Sequence, residues 1–429
     1  MTEDRGRKAE DGRQRTEGVF LSSFQRNLTT QWVATIYSAG VSVCLTFLLG
    51  RVLGPGAFGD YSYVLTLAAL FLILQDGGFK TLLFRERTLP TLSLAGYQDR
   101  LFPWALGHTV VVTVAGAFCV LVLPFQYRMG ILAAFLYFGL QAAADFVSSV
   151  LKSEGRFPQE AFWQILVRTF GALGILLVLF WVGTDIWIIF TGWAAGILLC
   201  LFWSPVRLQR PAFKGFGVGD VRRSCVGFMA IDAATTVYYR CDILLLAYLA
   251  GNSAEVGYYA AAYRFLDGIV LMAAPLRVVW FRKLRLSWED KRLFERQIGK
   301  MCLVMLAAAC LVLVVALPFC EEIVVLCFGK EYMVSAGLLP WLLFALIFIL
   351  PKGVLAQGVV SQNLERPYAV LAGFSAVLNI GLNLWLIPGY GAKGAAWATL
   401  VTEGFMAVSM VIGFRWKLKG ESSKVKAQR

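Results

Sequence analysis

Thirteen ionisable side chains lie inside stretches otherwise apolar enough for lipid, and they are where this chain has the means to do chemistry. Seven are cations, Lys80, Arg168, Arg240, Arg264, Arg277, Lys300 and Lys352; six are acids, Asp76, Asp145, Asp232, Asp242, Asp267 and Glu403. At the centre of an isolated membrane helix each costs about 2.5 to 3.5 kcal/mol, so each should face protein or water and have a partner. Residues three or four apart share a helix face, and the charges fall on polar stripes with that spacing. Asn27, Gln31, Thr35, Ser38 and Ser42 form one, and Gln141, Asp145, Ser148 and Lys152 another. Asp232, Thr236 and Arg240 align, as do Tyr259, Tyr263, Arg264 and Asp267, then Asn379 with Asn383, and Thr399 with Thr402 and Glu403. Stripes from many segments predict a hydrated cavity whose guanidinium groups offer bidentate, charge-assisted hydrogen bonds to an anion. The plainer roles are ion pairs, Arg264 with Asp267 and Asp76 with Lys80, and snorkelling of Arg277 and Lys300 to a membrane surface. Asp232, Asp242 and Glu403 are candidates to bind a driving proton or sodium ion, with interhelical hydrogen bonding as the simpler alternative.

Other chemistries find little support. Gly54, Gly56 and Gly59 in GRVLGPGAFGDYSY spell G-x-G-x-x-G, but a dinucleotide site needs a strand before it and a soluble βαβ unit around it. Here the preceding run is lipid-type, and Pro55 lacks an N–H that a phosphate would want. The motif predicts a turn between two membrane helices. Nine cysteines contain no C-x-x-C, and His108 is the only histidine, so neither a metal site nor a hydrolytic triad is expected.

The elements that must position these charges follow from composition. The 429 residues are 58% hydrophobic and 16% charged, too apolar for a soluble surface. A span needs about 20 apolar residues to cross a roughly 30 Å hydrocarbon layer. Twelve runs qualify: 28–50, 60–80, 104–124, 129–150, 160–182, 185–203, 224–250, 255–281, 297–318, 337–361, 368–388 and 394–416. The expected fold is all-α and integral to the membrane, since lipid satisfies no backbone donors and the short alternating segments of a β-barrel are missing. The net charge of +13 concentrates on one side. Loops on the side of the N-terminus hold 29 Lys and Arg, counting Arg415 at the edge of the last span, whereas the opposite loops hold four, Arg51, Arg128, Lys330 and Lys393. Both termini are therefore expected in the cytoplasm, with the basic tails against membrane lipids and no nucleic-acid partner. The divisions are a tail at 1–27, an N-terminal lobe at 28–203, a basic linker at 204–223, a C-terminal lobe at 224–416 and a tail at 417–429.

The two halves answer one another. Residues 244–263, LLLAYLAGNSAEVGYYAAAY, follow the pattern of 48–67, LLGRVLGPGAFGDYSYVLTL, and 386–400, LIPGYGAKGAAWATL, is a weaker echo. Two parallel six-helix lobes related by a pseudo-two-fold axis along the membrane normal are one architecture of alternating-access transporters. These stretches, extended to 242–269 and to LNIGLNLWLIPGYGAKGAAWATLVTE at 378–403, resemble the polysaccharide transporters of the multidrug/oligosaccharidyl-lipid/polysaccharide exporter superfamily, the O-antigen flippase type. The resemblance spans nearly the whole chain and implies a non-enzymatic flippase without a cofactor. Its implied cargo is an undecaprenyl-diphosphate-linked glycan, carried across a bacterial plasma membrane alongside glycosyltransferases and a polymerase. Arg264, in Tyr263-Arg264-Phe265, stands where the family carries a cation, so it leads the expected substrate contacts, with Arg168, Arg240 and Lys352 next. Asp145, Asp232, Asp242, Asp267, Glu403, Asn379, Asn383 and Gln31 complete the expected cavity. Fourteen spans typify the related lipid II flippases, which counts against that assignment. A multidrug antiporter of the same superfamily would line its cavity with acids, and a glycan polymerase or ligase would need a longer catalytic outer loop than 319–336.

Overall fold

A computed structural model describes residues 2–88, 98–206, 218–273, 290–362 and 365–427, with isolated positions between 276 and 287. Among these residues the chain is helical throughout, with no strand. In order the helices are α1 (Thr2–Asp76), α2 (Phe79–Thr88), α3 (Gln98–Val122), α4 (Arg128–Ser153), α5 (Phe157–Trp181), α6 (Ile186–Phe202), α7 (Val218–Leu249), α8 (Ser253–Met272), α9 (Lys291–Ala316), α10 (Cys320–Phe328), α11 (Met333–Ser361) and α12 (Glu365–Ala427). Seven stretches of the described residues are long and apolar enough to cross a membrane. α7 and α8 have the length as well, with 32 and 20 residues, but are the helices charged by Asp232, Arg240, Asp242, Arg264 and Asp267.

The apolar part of α1, Thr29–Asp76, has 48 residues. At about 1.5 Å per residue a straight helix of that length is roughly twice as long as the hydrocarbon layer is thick, so it has to turn. It does so at Gly54, whose φ of 72° is left-handed. The sequence places a turn of four or five residues between Gly54 and the next helix; the structure needs one residue, because Pro55 suits the first position of the next helix and lets it start at once. The two echo motifs break in the same way, at Gly251 (φ 62°) between α7 and α8 and at Gly391 (φ 56°) inside α12. Glu255, in the first turn of α8, accepts a 2.8 Å hydrogen bond from the Ala392 amide, tying two of the three breaks together.

Both arms of α1 lie along α8: Phe47 stacks 5.7 Å from Phe265, while Leu72 and Val270 line one cavity. The glycines of the opening motif serve this contact. A Cβ on Gly59 would fall 1.8 Å from the Ser253 carbonyl oxygen, and one on Gly257 would fall 2.0 Å from that of Pro55. Small residues thus let two backbones touch, as at close helix crossings in membranes. Gly257→Val should drive the helices apart and cost about 1 to 3 kcal/mol of overpacking, read as a lower unfolding midpoint in detergent, while Gly56→Ala, in open space, should leave it unchanged.

At the same end, Tyr332 donates to the Gly50 carbonyl (2.8 Å), and Arg51 donates to the Cys327 (3.0 Å) and Leu326 carbonyls at the C-terminus of α10. The stretch expected as the loop 319–336 is therefore a short helix between two 3₁₀ turns, and it seals the N-terminal half against the C-terminal half. At the opposite, basic end the halves also meet: a Cβ on Gly78 would lie 2.4 Å from the Cys225 carbonyl oxygen, and Arg85 sits 5.2 Å from the Phe228 ring centre. The span expected at 60–80 stops at Asp76, which accepts from the amides of Gly78 (3.0 Å) and Lys80 (3.3 Å) and so caps α2. Lys80 consequently lies outside the span.

Candidate functional site

Among the described residues, three cavities reach the charges embedded in the helices. The largest, about 810 Å³, is walled by the second arm of α1 and by α7, α8 and α11, and its polar lining is Thr236, Tyr239, Arg240, Asp267, Lys352 and Gln357. The second, about 320 Å³, lies between the first arm of α1, α5 and α8, where Ser38, Ser42, Arg168, Arg264 and Asp267 face it. Asp267 is in the wall of both. The third, about 200 Å³, sits among α1, α4, α5 and α6 and shares Ser38, Gln164 and Arg168 with the second.

α8 supplies the centre of this system. Asn252 caps it by accepting from the Ala254 amide (3.0 Å), which sets the register that puts Arg264 and Asp267 one turn apart on the cavity side. Asp267 then stands between two guanidinium groups, 3.4 Å from Arg264 and 3.9 Å from Arg240. Arg168 reaches the second cavity from α5 and has no ion-pair or hydrogen-bond partner among the described residues. Two arginines therefore share one carboxylate, and a third, Arg168, faces the second cavity unpaired. The other cations on these walls are neutralised: Lys80 pairs with Asp145 at 2.8 Å, Lys152 with Glu160 at 3.1 Å, and Lys352 with Glu403. The space between the halves carries an excess of about two positive charges, in surroundings of lower dielectric than water.

Several expected cavity groups are placed elsewhere. Asp242, buried, accepts from the Tyr259 hydroxyl and from the Ile243 amide (2.9 Å). Glu403, also buried, accepts from Lys352 and from Tyr238 (2.7 Å). Asn383 donates to the Asn379 carbonyl and side chain, both at 2.9 Å, and Asn379 reaches Thr402 (3.4 Å). These groups line none of the three cavities; they form a dry polar network joining α7, α8, α11 and α12. Their stripes do face inward, but toward one another, since hydrogen-bonding to one another is the stable way to bury such groups, although the Asn383 Oδ1 has no partner among the described residues. Asp232 is exposed on α7 and lines none of the three cavities. Gln31 lines no cavity either, donating instead to the Phe157 carbonyl (2.9 Å) and to Glu160 (2.5 Å). The alternative pairing of Asp76 with Lys80 gives way to Lys80 with Asp145, from a helix 65 residues on. Lys300 is exposed, the Asn27 side chain and Arg277 lie outside the described residues, and so does most of the linker at 204–223.

Glu160 is a residue the sequence did not single out. Wholly buried in the first turn of α5, it accepts from Gln31, Ser148, Gln164 (2.5 Å) and Lys152. Its signal was faint, a glutamate at a span edge with a glutamine four residues on. Among the described residues no cluster of three His, Cys, Asp or Glu side chains is placed to hold a metal ion.

Comparison with known proteins bears on the family and the fold. The model of the family described as "Polysaccharide biosynthesis protein" matches residues 24–281. A relative from Haloferax volcanii, named the probable low-salt glycan biosynthesis flippase Agl15, is 23% identical over 389 residues, which is 86% of this chain and 79% of that protein. Among solved structures, the lipid II flippase MurJ in an inward closed conformation has a TM-score of 0.76 at 13% identity, covering 90% of this chain and 87% of its own. An inward-facing multidrug resistance transporter of the MATE family, from the MOP superfamily, has a TM-score of 0.64 at 12% identity, covering 91% and 96%. The all-helical fold is the one these transporters share.

Proposed function

The chain belongs to the polysaccharide biosynthesis protein family, and from that premise we propose that it flips an undecaprenyl-diphosphate-linked oligosaccharide across the bacterial inner membrane. The observation that carries the reading is the set of three arginines on the cavities between the halves, Arg240 and Arg264 paired to Asp267 and Arg168 without a partner among the described residues. A lipid-linked glycan has a tail content in lipid, a polar head, and a diphosphate whose charge makes unassisted crossing slow. Arg168, Arg240 and Arg264 supply planar donors able to replace water around both phosphates, and the excess positive charge compensates the anion. A cationic organic substrate would be repelled from the same place, which sets the antiporter reading aside.

Both termini are assigned to the cytoplasm by the 29 to four bias of basic residues. Loading then occurs at the basic end, where α2 meets α7, and release at the end sealed by α10. The halves act as the two lobes of an alternating-access cycle: separation at Gly78 and Cys225 opens the cavity inward, and separation at Gly59 and Gly257 opens it outward. With contacts at both ends the described form is an intermediate between them. Coupling to a proton or sodium ion is assigned to the buried carboxylates Asp242 and Glu403, whose protonation or occupancy would loosen the network joining α7 to α12.

The test is reconstitution in liposomes with a short-chain lipid-linked oligosaccharide whose head is accessible to an added glycosidase or lectin only after flipping. Purified protein should raise the rate of exposure at least tenfold over empty liposomes, and an excess of polyprenyl diphosphate should inhibit it. No acceleration, or inhibition by organic cations in its place, would overturn the reading.

A further inference from the structure

The smallest cavity differs in chemistry from the other two. Its walls hold the amides of Gln141 and Gln164, the Ser38 hydroxyl, the Asp145 carboxylate and the indole of Trp193, with Arg168 at its junction with the second cavity. Apart from Arg168 its charges cancel, because Lys80 neutralises Asp145 and Lys152 neutralises Glu160 behind the wall. Neutral, rich in both donors and acceptors, and bounded by an aromatic plane held against Tyr137 at 4.2 Å, it suits neither a polyprenyl tail nor a phosphate. At about 200 Å³ it is smaller than the roughly 300–1,000 Å³ sites that enclose drug-sized ligands, so it takes one ring rather than a chain.

Two groups at its mouth lack partners. The Ser38 hydroxyl oxygen is buried without a hydrogen bond, and the Arg168 guanidinium has none among the described residues. A buried polar atom without a protein partner on a cavity wall is available to hydrogen-bond whatever enters that cavity. Both lie where the arginine-lined space opens into the neutral one, the position of the bond between a diphosphate and its first sugar.

We infer that this chamber of the N-terminal half is a monosaccharide subsite: it seats the first pyranose ring attached to the diphosphate, with Gln141, Gln164 and Asp145 reading its hydroxyl or amide substituents and Ser38 meeting the ring at the junction. The inference rests on the flippase reading above and adds that recognition of the sugar belongs to α1, α4, α5 and α6. The phosphates are held separately, by arginines of α5, α7 and α8.

The experiment compares three lipids binding to the full chain in nanodiscs: undecaprenyl diphosphate, and the same lipid carrying one hexose or one N-acetylhexosamine. The wild-type protein should bind one sugar-bearing lipid about tenfold more tightly than the bare one, the worth of one or two good hydrogen bonds. Gln141→Leu should remove most of that preference while changing affinity for the bare lipid less than twofold, and Ser38→Ala, whose hydroxyl borders both cavities, should reduce the preference as well. Because the Ser38 hydroxyl bonds nothing in the free protein, Ser38→Ala should not lower the unfolding midpoint, whereas a structural role would. Equal wild-type affinity for all three lipids, or variants that weaken them in parallel, would overturn the subsite and leave the flippase intact. Failure to bind any of the three would instead overturn the flippase reading itself.

Discussion

Arg264→Ala should reduce flipping at least a hundredfold while leaving the amount of protein in the membrane unchanged. Charge-assisted hydrogen bonds are worth about 1.5 to 3 kcal/mol each, and a guanidinium forked onto a phosphate makes two, so the loss in affinity or rate at 1.4 kcal/mol per decade reaches that size. The electrostatic loss adds to it. With Arg264 gone, Asp267 remains opposite Arg240 at 3.9 Å, and the cavity keeps an excess of about one positive charge where a diphosphate brings about two negative. Stability should change little, since the partner left behind is a 40% exposed carboxylate with a second arginine nearby. Arg264→Lys separates charge from geometry: it keeps the former, loses the planar fork, and should retain an intermediate rate. Wild-type flipping by Arg264→Ala would show that the ion pair with Asp267 is the whole of its role.

How far the sequence carries such an argument can be judged residue by residue. Hydropathy located the helices because lipid leaves no other way to satisfy the backbone, and Gly54, Gly251 and Gly391 were visible as breaks because only glycine adopts their φ without strain. Arg264 and Asp267 were legible as neighbours by helical spacing, and Arg240 as a cavity cation, but the approach of Arg240 to Asp267 from another helix was not. Spacing reveals which residues share a face but says nothing of what that face meets. The stripe of Asp232, Thr236 and Arg240 ends at the cavity, whereas Asp242, two residues on, points the other way to Tyr259, whose hydroxyl also meets Thr399. Asn379, Asn383 and Glu403 look identical to a cavity lining until α7 and α11 are laid against them. Glu160 was hidden for the same reason: its partners come from three helices, and only Gln164 is near in sequence. Pairings of that range are set by tertiary packing, which a single chain of letters records only indirectly.

That distinction between lining and network decides what the Lys352 and Glu403 pair should do when broken. Their side chains are 5% and 4% exposed, the ammonium lies 5.3 Å from the Tyr238 ring centre, and the Tyr238 hydroxyl donates 2.7 Å to the carboxylate. Two charges so enclosed are each tolerable only in the presence of the other, and removing one typically costs about 3 to 5 kcal/mol. Lys352→Met leaves a bare carboxylate and Glu403→Gln a bare ammonium, so either alone should lower the unfolding midpoint sharply and cut the yield of monodisperse protein. Combining them removes both charges while glutamine still accepts from Tyr238, and the double variant should recover to within about 1 kcal/mol of the parent, a coupling larger than any exposed pair produces. Had Lys352 reached free into the cavity as a substrate contact, the single variants would fold normally and fail only in transport, and the double would be no better than Lys352→Met. A folded, stable Glu403→Gln would therefore move Lys352 from the network back to the phosphate-binding wall. An additive double would mean that the two groups do not share their burial at all.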